Sequence, residues 1–293
     1  QDDPMKRALF LFVLLSLCAA PPVEAKSAPR AHAGKVETLI PALPPIVADY
    51  DVYVGGVHLI ASEILFEEQN GKYRTRVLAH THGFWHDLLP WDTVLDVHGD
   101  LTRDSFAPKE FYTRDEWNHK PKITKLHFTK KGAVSPEFEP PSHDENREAV
   151  TEEQRRGSLD PVTALLQLLA HVAIDKNCST VVPVFDGKRR FDVTGTDRGY
   201  EFVDEEDYGI FKGKARLCDA KFTMIAGEWK DRKPSKFWQK SETEDGRDPF
   251  QVYLAPVGPN GAEMAIRLES TSVFGLIIGH LSGWHYASAE EMK

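Results

Sequence analysis

Beyond residue 50 the chain alternates apolar and polar positions in short runs separated by turn residues. Residues 50–54 (YDVYV) alternate, Gly55-Gly56 interrupts, and 57–66 resumes. Asn70-Gly71 then marks a hairpin turn, with 73–81 as the return strand. Residues 93–97, 110–114 and 123–129 continue the period of two, a spacing that suits an antiparallel meander. Residues 132–156 break the pattern with a polar, proline-rich stretch read as one long loop. The pattern then switches to a helical period. Asp160 suits the N-cap and Pro161 the first helical position, and Val162, Leu165, Leu166, Leu169, Val172 and Ala173 form an apolar stripe to about Ile174. Leu168 widens that stripe, so much of the helix circumference is expected to be buried. Strand signals return at 180–185, Asp186-Gly187 turns the chain, and 189–196 runs back. Residues 212–217, 221–226, 250–255, 265–270 and 273–281 follow. About eleven strands with one helix among them point to a single all-β domain, mainly antiparallel, with a strongly curved sheet.

The first residues follow another logic. Gln1 to Pro4 precede Met5 and are set aside as an upstream remnant. Lys6 and Arg7 form a positive start, and 8–17 (ALFLFVLLSL) an apolar run of ten residues. Such a run spans roughly 15 Å as a helix, about half the hydrocarbon thickness, so it reads as a secretory signal over 5–25. Val23 and Ala25 suit cleavage after Ala25 and export to the periplasm. A leader at 26–48 with four prolines, the domain at 49–285 and a tail at 286–293 complete the expected organisation.

Composition narrows the partners. The 293 residues carry a formal charge of −9, which argues against nucleic acid. Of three cysteines, Cys18 leaves with the signal, and Cys178 and Cys218 remain for an oxidising compartment. The pair reads as a disulfide closing a loop of about 41 residues, a stabilisation of roughly 4 kcal/mol in the chain-entropy model.

Several ordered motifs resemble one family. They are Tyr50-x-Val52-x-x-Gly55-Gly56 with Gly71-x-Tyr73, then Leu159-Asp160-Pro161-Val162-x-Ala164-Leu165, then 185–191 (FDGKRRF). Phe211-x-Gly213-x-Ala215-x-x-Cys218 and Ile225-Ala226-Gly227 complete the set. The set resembles secreted bacterial proteins of domain-of-unknown-function family 3108 over roughly residues 49–283. Members are similar in outline to envelope lipoprotein carriers and spiral β-sheet envelope-integrity proteins. The resemblance implies a spiral, open-barrel sheet wrapped around the helix, with an apolar cavity. It implies no activity, because function does not follow from fold. The long acidic, proline-rich loop departs from a simple carrier.

Candidate chemistry is sparse. His80 and His82 share one face of a strand, with His86, Asp87 and His98 near, but no short ligand spacing completes a zinc signature, and no metal is expected. The sequence has no Gly-x-Ser-x-Gly elbow, Ser-x-x-Lys or His-Glu-x-x-His, and no glycine-rich phosphate loop, so no catalytic residue or cofactor is assigned. Arg189 and Arg190 follow the Asp186-Gly187 turn and face opposite sides, so one is expected to meet a buried carboxylate or an anionic ligand. Trp85 and Trp91, with Phe84, Leu88 and Leu89, stand in an expected loop that either folds onto the core or offers apolar surface. Phe237-Trp238 is a smaller version of the same feature.

The expected function is a non-enzymatic envelope protein that binds a lipid or other amphiphile in an apolar cavity and supports envelope integrity, with Trp85, Trp91, Arg189 and Arg190 as candidate ligand contacts. One alternative is an interaction module docking an envelope protein through the Trp85–Trp91 loop. Another is a hydrolase of envelope polymers using His80, His82 and Asp87.

Overall fold

The computed structural model describes residues 43–141, 146–204, 208–230, 250–272 and 274–293. The expected signal and most of the leader, Phe237-Trp238, and part of the acidic segment after Asp204 lie outside the described residues. No helix among the described residues is long and apolar enough to cross a membrane.

Thirteen strands form one antiparallel sheet. They are β1 (Ile46–Val54), β2 (Val57–Gln69), β3 (Lys72–Thr81), β4 (Trp91–Leu101), β5 (Phe106–Trp117), β6 (Lys120–Phe128) and β7 (Val134–Glu139), then β8 (Thr180–Phe185), β9 (Arg190–Val203), β10 (Gly213–Ala226), β11 (Phe250–Ala255), β12 (Met264–Ser272) and β13 (Gly275–Tyr286). The order is β7-β6-β5-β4-β3-β2-β1-β13-β12-β11-β10-β9-β8. Two hairpin meanders therefore meet where β1 pairs with β13, and the N- and C-terminal strands sit at the sheet's centre. Helix α1 (Phe84–Leu88) joins β3 to β4, α2 (Glu152–Arg155) follows β7, and α3 (Pro161–Asp175) precedes β8.

Three sequence boundaries move. β1 begins at Ile46, inside the expected leader, because Ile46 and Ala48 belong to the main core. The expected loop at 132–156 contains β7, whose Val134 is buried, and α2, which Thr151 and Gln154 close with a capping box. The two runs at 212–217 and 221–226 are one strand, β10, kinked by register shifts against β9.

Asp160 caps α3 as expected, its Oδ1 accepting from the Thr163 N–H at 2.9 Å, with Pro161 in the first turn. The buried side of the helix is broader than its apolar stripe. Val162, Leu166, Ala170 and Ile174, four residues apart, pack on the main core. Leu168, Leu169 and Val172 pack on a second cluster with Val252, Leu254 and Ala265, and Ala164 on a third with Val182, Val184 and Phe191. Leu165, expected in the stripe, is instead 37% exposed. Helix α3 thus lies inside the curve of the sheet, with strands on several sides.

The two sheet edges are linked through the chain between them. Gly157 N–H donates to Gly132 O, at the β6–β7 turn. Leu159 N–H then donates to Pro183 O, and Phe185 N–H to Leu159 O, so the same segment covers the outer edge of β8. The β8–β9 turn completes the seam. Gly187 (φ +99°) packs so closely on β6 that a Cβ there would lie 2.7 Å from Thr124 Cγ2.

Cys178 and Cys218 form a disulfide with Cα atoms 6.0 Å apart, and both residues are fully buried. It ties the segment after α3 to the middle of β10 and fixes the helix C-terminus against the sheet.

Candidate binding site

The concave face around α3 is largely apolar, and several large side chains on it remain half-buried. They are Tyr50 from β1, Ile64 from β2, Leu166 and Ile174 from α3, Phe211 before β10, and Trp284 from β13, all packed against the main core. Tyr50 and Leu281 are register partners that turn inward together. The Tyr50 hydroxyl donates to Ala265 O at 2.8 Å, and burial pushes its pKa well above the usual phenol range.

Further polar groups are set into this interior. The Tyr73 hydroxyl lies 2.8 Å from Thr163 Oγ1 and so joins β3 to the first turn of α3. Asp160 is fully buried, and burial pushes its carboxyl up to about 6 against the hydrogen bonds from the helix N-terminus.

The paired arginines are held by carboxylates of their own hairpin. Arg189 Nε donates to Asp186 Oδ2 at 2.6 Å, while Asp186 Oδ1 accepts from the Lys188 and Arg189 N–H groups. Arg190 Nη1 donates to Asp192 Oδ1 at 2.6 Å and its Nε to Gln154 O at 3.2 Å. Both side chains are mostly buried, at 16% and 12% exposure. Gly227 (φ +90°) passes so close to this hairpin that a Cβ there would lie 2.2 Å from Lys188 O. Arg147 Nη1 donates to Gly227 O at 2.6 Å and stacks on Trp229. The hairpin is therefore part of the seam, with its cations facing internal partners.

The two tryptophans separate. Trp91 is the first residue of β4 and 1% exposed, and its indole N–H donates to Asp115 Oδ1 at 2.7 Å. It packs with Ile60 and Ala79 in a satellite core, so the expected loop ends before it. Trp85 lies on α1 and is half-buried, while Phe84 and Leu88 on the same helix are 71% and 58% exposed.

The histidines divide as well. The His82 ring stacks on His58 at 3.9 Å, whereas His80 faces His86 at 6.5 Å, so His80 and His82 do not meet at one centre. No group of three His, Cys, Asp or Glu among the described residues is placed to hold a metal ion.

The sequence reading missed the cluster that His82 joins. Between Val52 and Tyr53 the β1–β2 register slips, from Val52 opposite Ile60 to Tyr53 opposite His58. That bulge re-aims His58 toward Tyr53, whose ring lies 4.8 Å away, and toward Asp51 at 3.1 Å. Tyr208, after β9, rests 4.7 Å from Tyr53 and 5.9 Å from the buried His280. Burial lowers the His58 pKa and the His82 ring lowers it further, against the opposing pull of Asp51. No sequence motif signals this group, because a one-residue bulge assembles it.

A β-rich chain with a helix inside one long, curved antiparallel sheet defines a class of open, barrel-like β-sheet proteins. Within that class the chain belongs to the family described as "Protein of unknown function (DUF3108)", whose model matches residues 49–256. No curated protein matches the chain. Among solved structures, the chain is similar to a beta-barrel-like protein of domain of unknown function DUF1849 from Brucella abortus, at 14% identity and a TM-score of 0.48, with 84% of this chain and 99% of that chain covered.

Proposed function

We propose that this protein is a non-catalytic component of the cell envelope that binds a lipid or other amphiphile on the concave face of its sheet. The observation that carries this reading is the set of large apolar side chains between the sheet and α3 that stay half-buried: Tyr50, Ile64, Phe211 and Trp284 on the sheet side, and Leu166 and Ile174 on α3. Apolar surface left accessible inside a curved sheet is what an acyl chain would cover, at roughly 25 cal/mol per Å² removed from water. The signal-like segment at 5–25 and the buried Cys178–Cys218 disulfide support export to an oxidising compartment, the periplasm. Arg189 and Arg190 then serve the fold, through Asp186 and Asp192, rather than the ligand.

The test is native mass spectrometry of protein exported to the periplasm and purified without detergent, followed by organic extraction. A defined amphiphile that co-purifies and is displaced by added phospholipid is the expected result. A clean apo mass that added phospholipid does not shift would overturn the reading.

A further inference from the structure

Residues 82–90 form a strap between β3 and β4 that carries α1 and reaches from β2 to the β5–β6 turn. Its far end is tied twice. Leu89 O accepts from the Thr81 hydroxyl at 2.7 Å, and Pro90 O accepts from Asn118 N–H at 2.9 Å. Between the ends α1 has no buried residue, so core packing gives the strap little hold of its own. At the near end His82 N–H donates to Leu59 O, and the His82 ring stacks on His58 with centroids 3.9 Å apart and planes 15° apart. Gly83 (φ +54°) turns the chain directly after the stack. The two imidazoles are therefore the side-chain hold on the entry to the strap.

That hold is built around a neutral His58. Its Nε2 lies 3.1 Å from Asp51 Oδ1 and 3.2 Å from Ile60 O, both acceptors, so Nε2 carries the hydrogen. Protonation adds a hydrogen at Nδ1, and no acceptor meets it among the described residues. The groups facing the ring are Asp51 and Tyr53 on β1 and His82 on the strap. Behind Tyr53 stand Tyr208, at 4.7 Å, and His280 of β13, at 5.7 Å. Burial and the His82 ring disfavour the His58 cation, Asp51 and the Ile60 carbonyl favour it, and the net effect lowers the pKa. A lowered folded-state pKa makes the contact complete above about pH 6.5 and weaker as pH falls.

We propose that the His58–His82 stack is an acid-sensitive latch, which holds the 82–90 strap against β2 at neutral pH and frees its entry in mild acid. Protons on both rings would set two like charges about one ring-stacking distance apart, which repel. The body of the sheet responds in the opposite sense. Burial pushes the Asp115 and Asp160 carboxyls up to about 6, so these groups favour the folded state as pH falls. Acid thus loosens one connection of a fold that these two carboxyls tighten. The latch does not rest on amphiphile binding at the concave face.

The experiment is hydrogen exchange, read by mass spectrometry on the full chain at about pH 5.5 and about pH 7.5, with the chemical exchange rate of each amide divided out. Protection over 82–90 is expected to fall about tenfold in the acid sample, while β4 and β13 keep theirs. His58→Phe keeps a ring for the stack but takes no proton, and its 82–90 protection should be the same at both pH values. Asp51→Asn removes the charge that favours the His58 cation, so its loss of protection should move to lower pH. Equal wild-type protection over 82–90 at both pH values, or an acid loss shared by all strands, would overturn the proposal. An acid loss that persists in folded His58→Phe would do the same. Where His58→Phe does not fold, Asp51→Asn decides alone, and an unmoved midpoint there would overturn the latch.

Discussion

The Trp91 indole donates its N–H to Asp115 Oδ1 at 2.7 Å across the β4–β5 pair, and both groups are buried. Burial pushes the Asp115 carboxyl up to about 6 even with that hydrogen bond and the Lys122 charge acting against the shift. The contact makes Trp91 a core residue and leaves Trp85, six positions earlier, on the exposed helix α1. Trp91→Ala is expected to cost about 3–5 kcal/mol, through the cavity and the unpaired carboxyl it would leave. Trp85→Ala is expected to cost under about 1 kcal/mol. Urea unfolding of the two variants measures the difference, and equal losses would contradict the assignment of the two side chains.

Asp160 supplies a pH prediction with a definite sign. Its folded-state pKa of about 6 stands above the ordinary 3.8, so the folded protein holds this proton more tightly than the unfolded chain does. That contribution to stability is complete below about pH 4 and is lost as pH rises through about 6. Asp160→Asn is uncharged throughout and keeps an oxygen to accept from Thr163 N–H. Between about pH 4 and about pH 7.5 the wild type should therefore lose about 2–3 kcal/mol of unfolding free energy relative to the variant. Parallel pH profiles for the two proteins in urea titrations would rule out Asp160 as the responsive group.

Gly227 tests the seam. Its positive φ and the 2.2 Å approach of a Cβ to Lys188 O leave an alanine no room without moving the Asp186–Arg190 hairpin. Gly227→Ala should destabilise by about 2 kcal/mol or more and raise hydrogen exchange in β8 and the 157–159 segment before the rest of the sheet. Uniform exchange across all strands would argue against a local seam.

The disulfide should matter for the helix more than for the sheet. Cys178→Ala/Cys218→Ala removes a cross-link that closes a 40-residue separation, worth roughly 2–4 kcal/mol. The expected signature is faster proteolysis between α3 and β8 in the variant. An unchanged cleavage pattern and midpoint would mean that packing of Leu168 and Val172 holds the helix without it.

Much of the fold was legible because its signals are local. Alternation gave most strands, Asn70-Gly71 and Asp186-Gly187 gave two hairpins, and Asp160-Pro161 gave the start of α3, since each depends on backbone preferences within a few residues. The pairing of two buried cysteines followed from their number and the expectation of export. The misreadings have physical causes too. β7 was hidden because an edge strand with one buried residue, Val134, carries little apolar signal. The Trp85–Trp91 run read as one feature because periodicity cannot place a strand start at Trp91 while α1 remains on the surface.

By itself the sequence determined the class of secondary structure, the longest helix and its cap, the disulfide partners and the family motifs, all of which follow from short-range chemistry. Tertiary structure alone decided which partners those motifs meet. Arg189 and Arg190 stand in the sequence without any local sign of their partners, and the fold sets Asp186, Asp192 and Gln154 around them. The His58–His82 stack exists only because a bulge after Val52 shifts the register by one residue and two hairpins then meet. Such contacts join residues far apart in the chain, and their geometry is fixed by the curvature and register of the whole sheet, which no local pattern encodes.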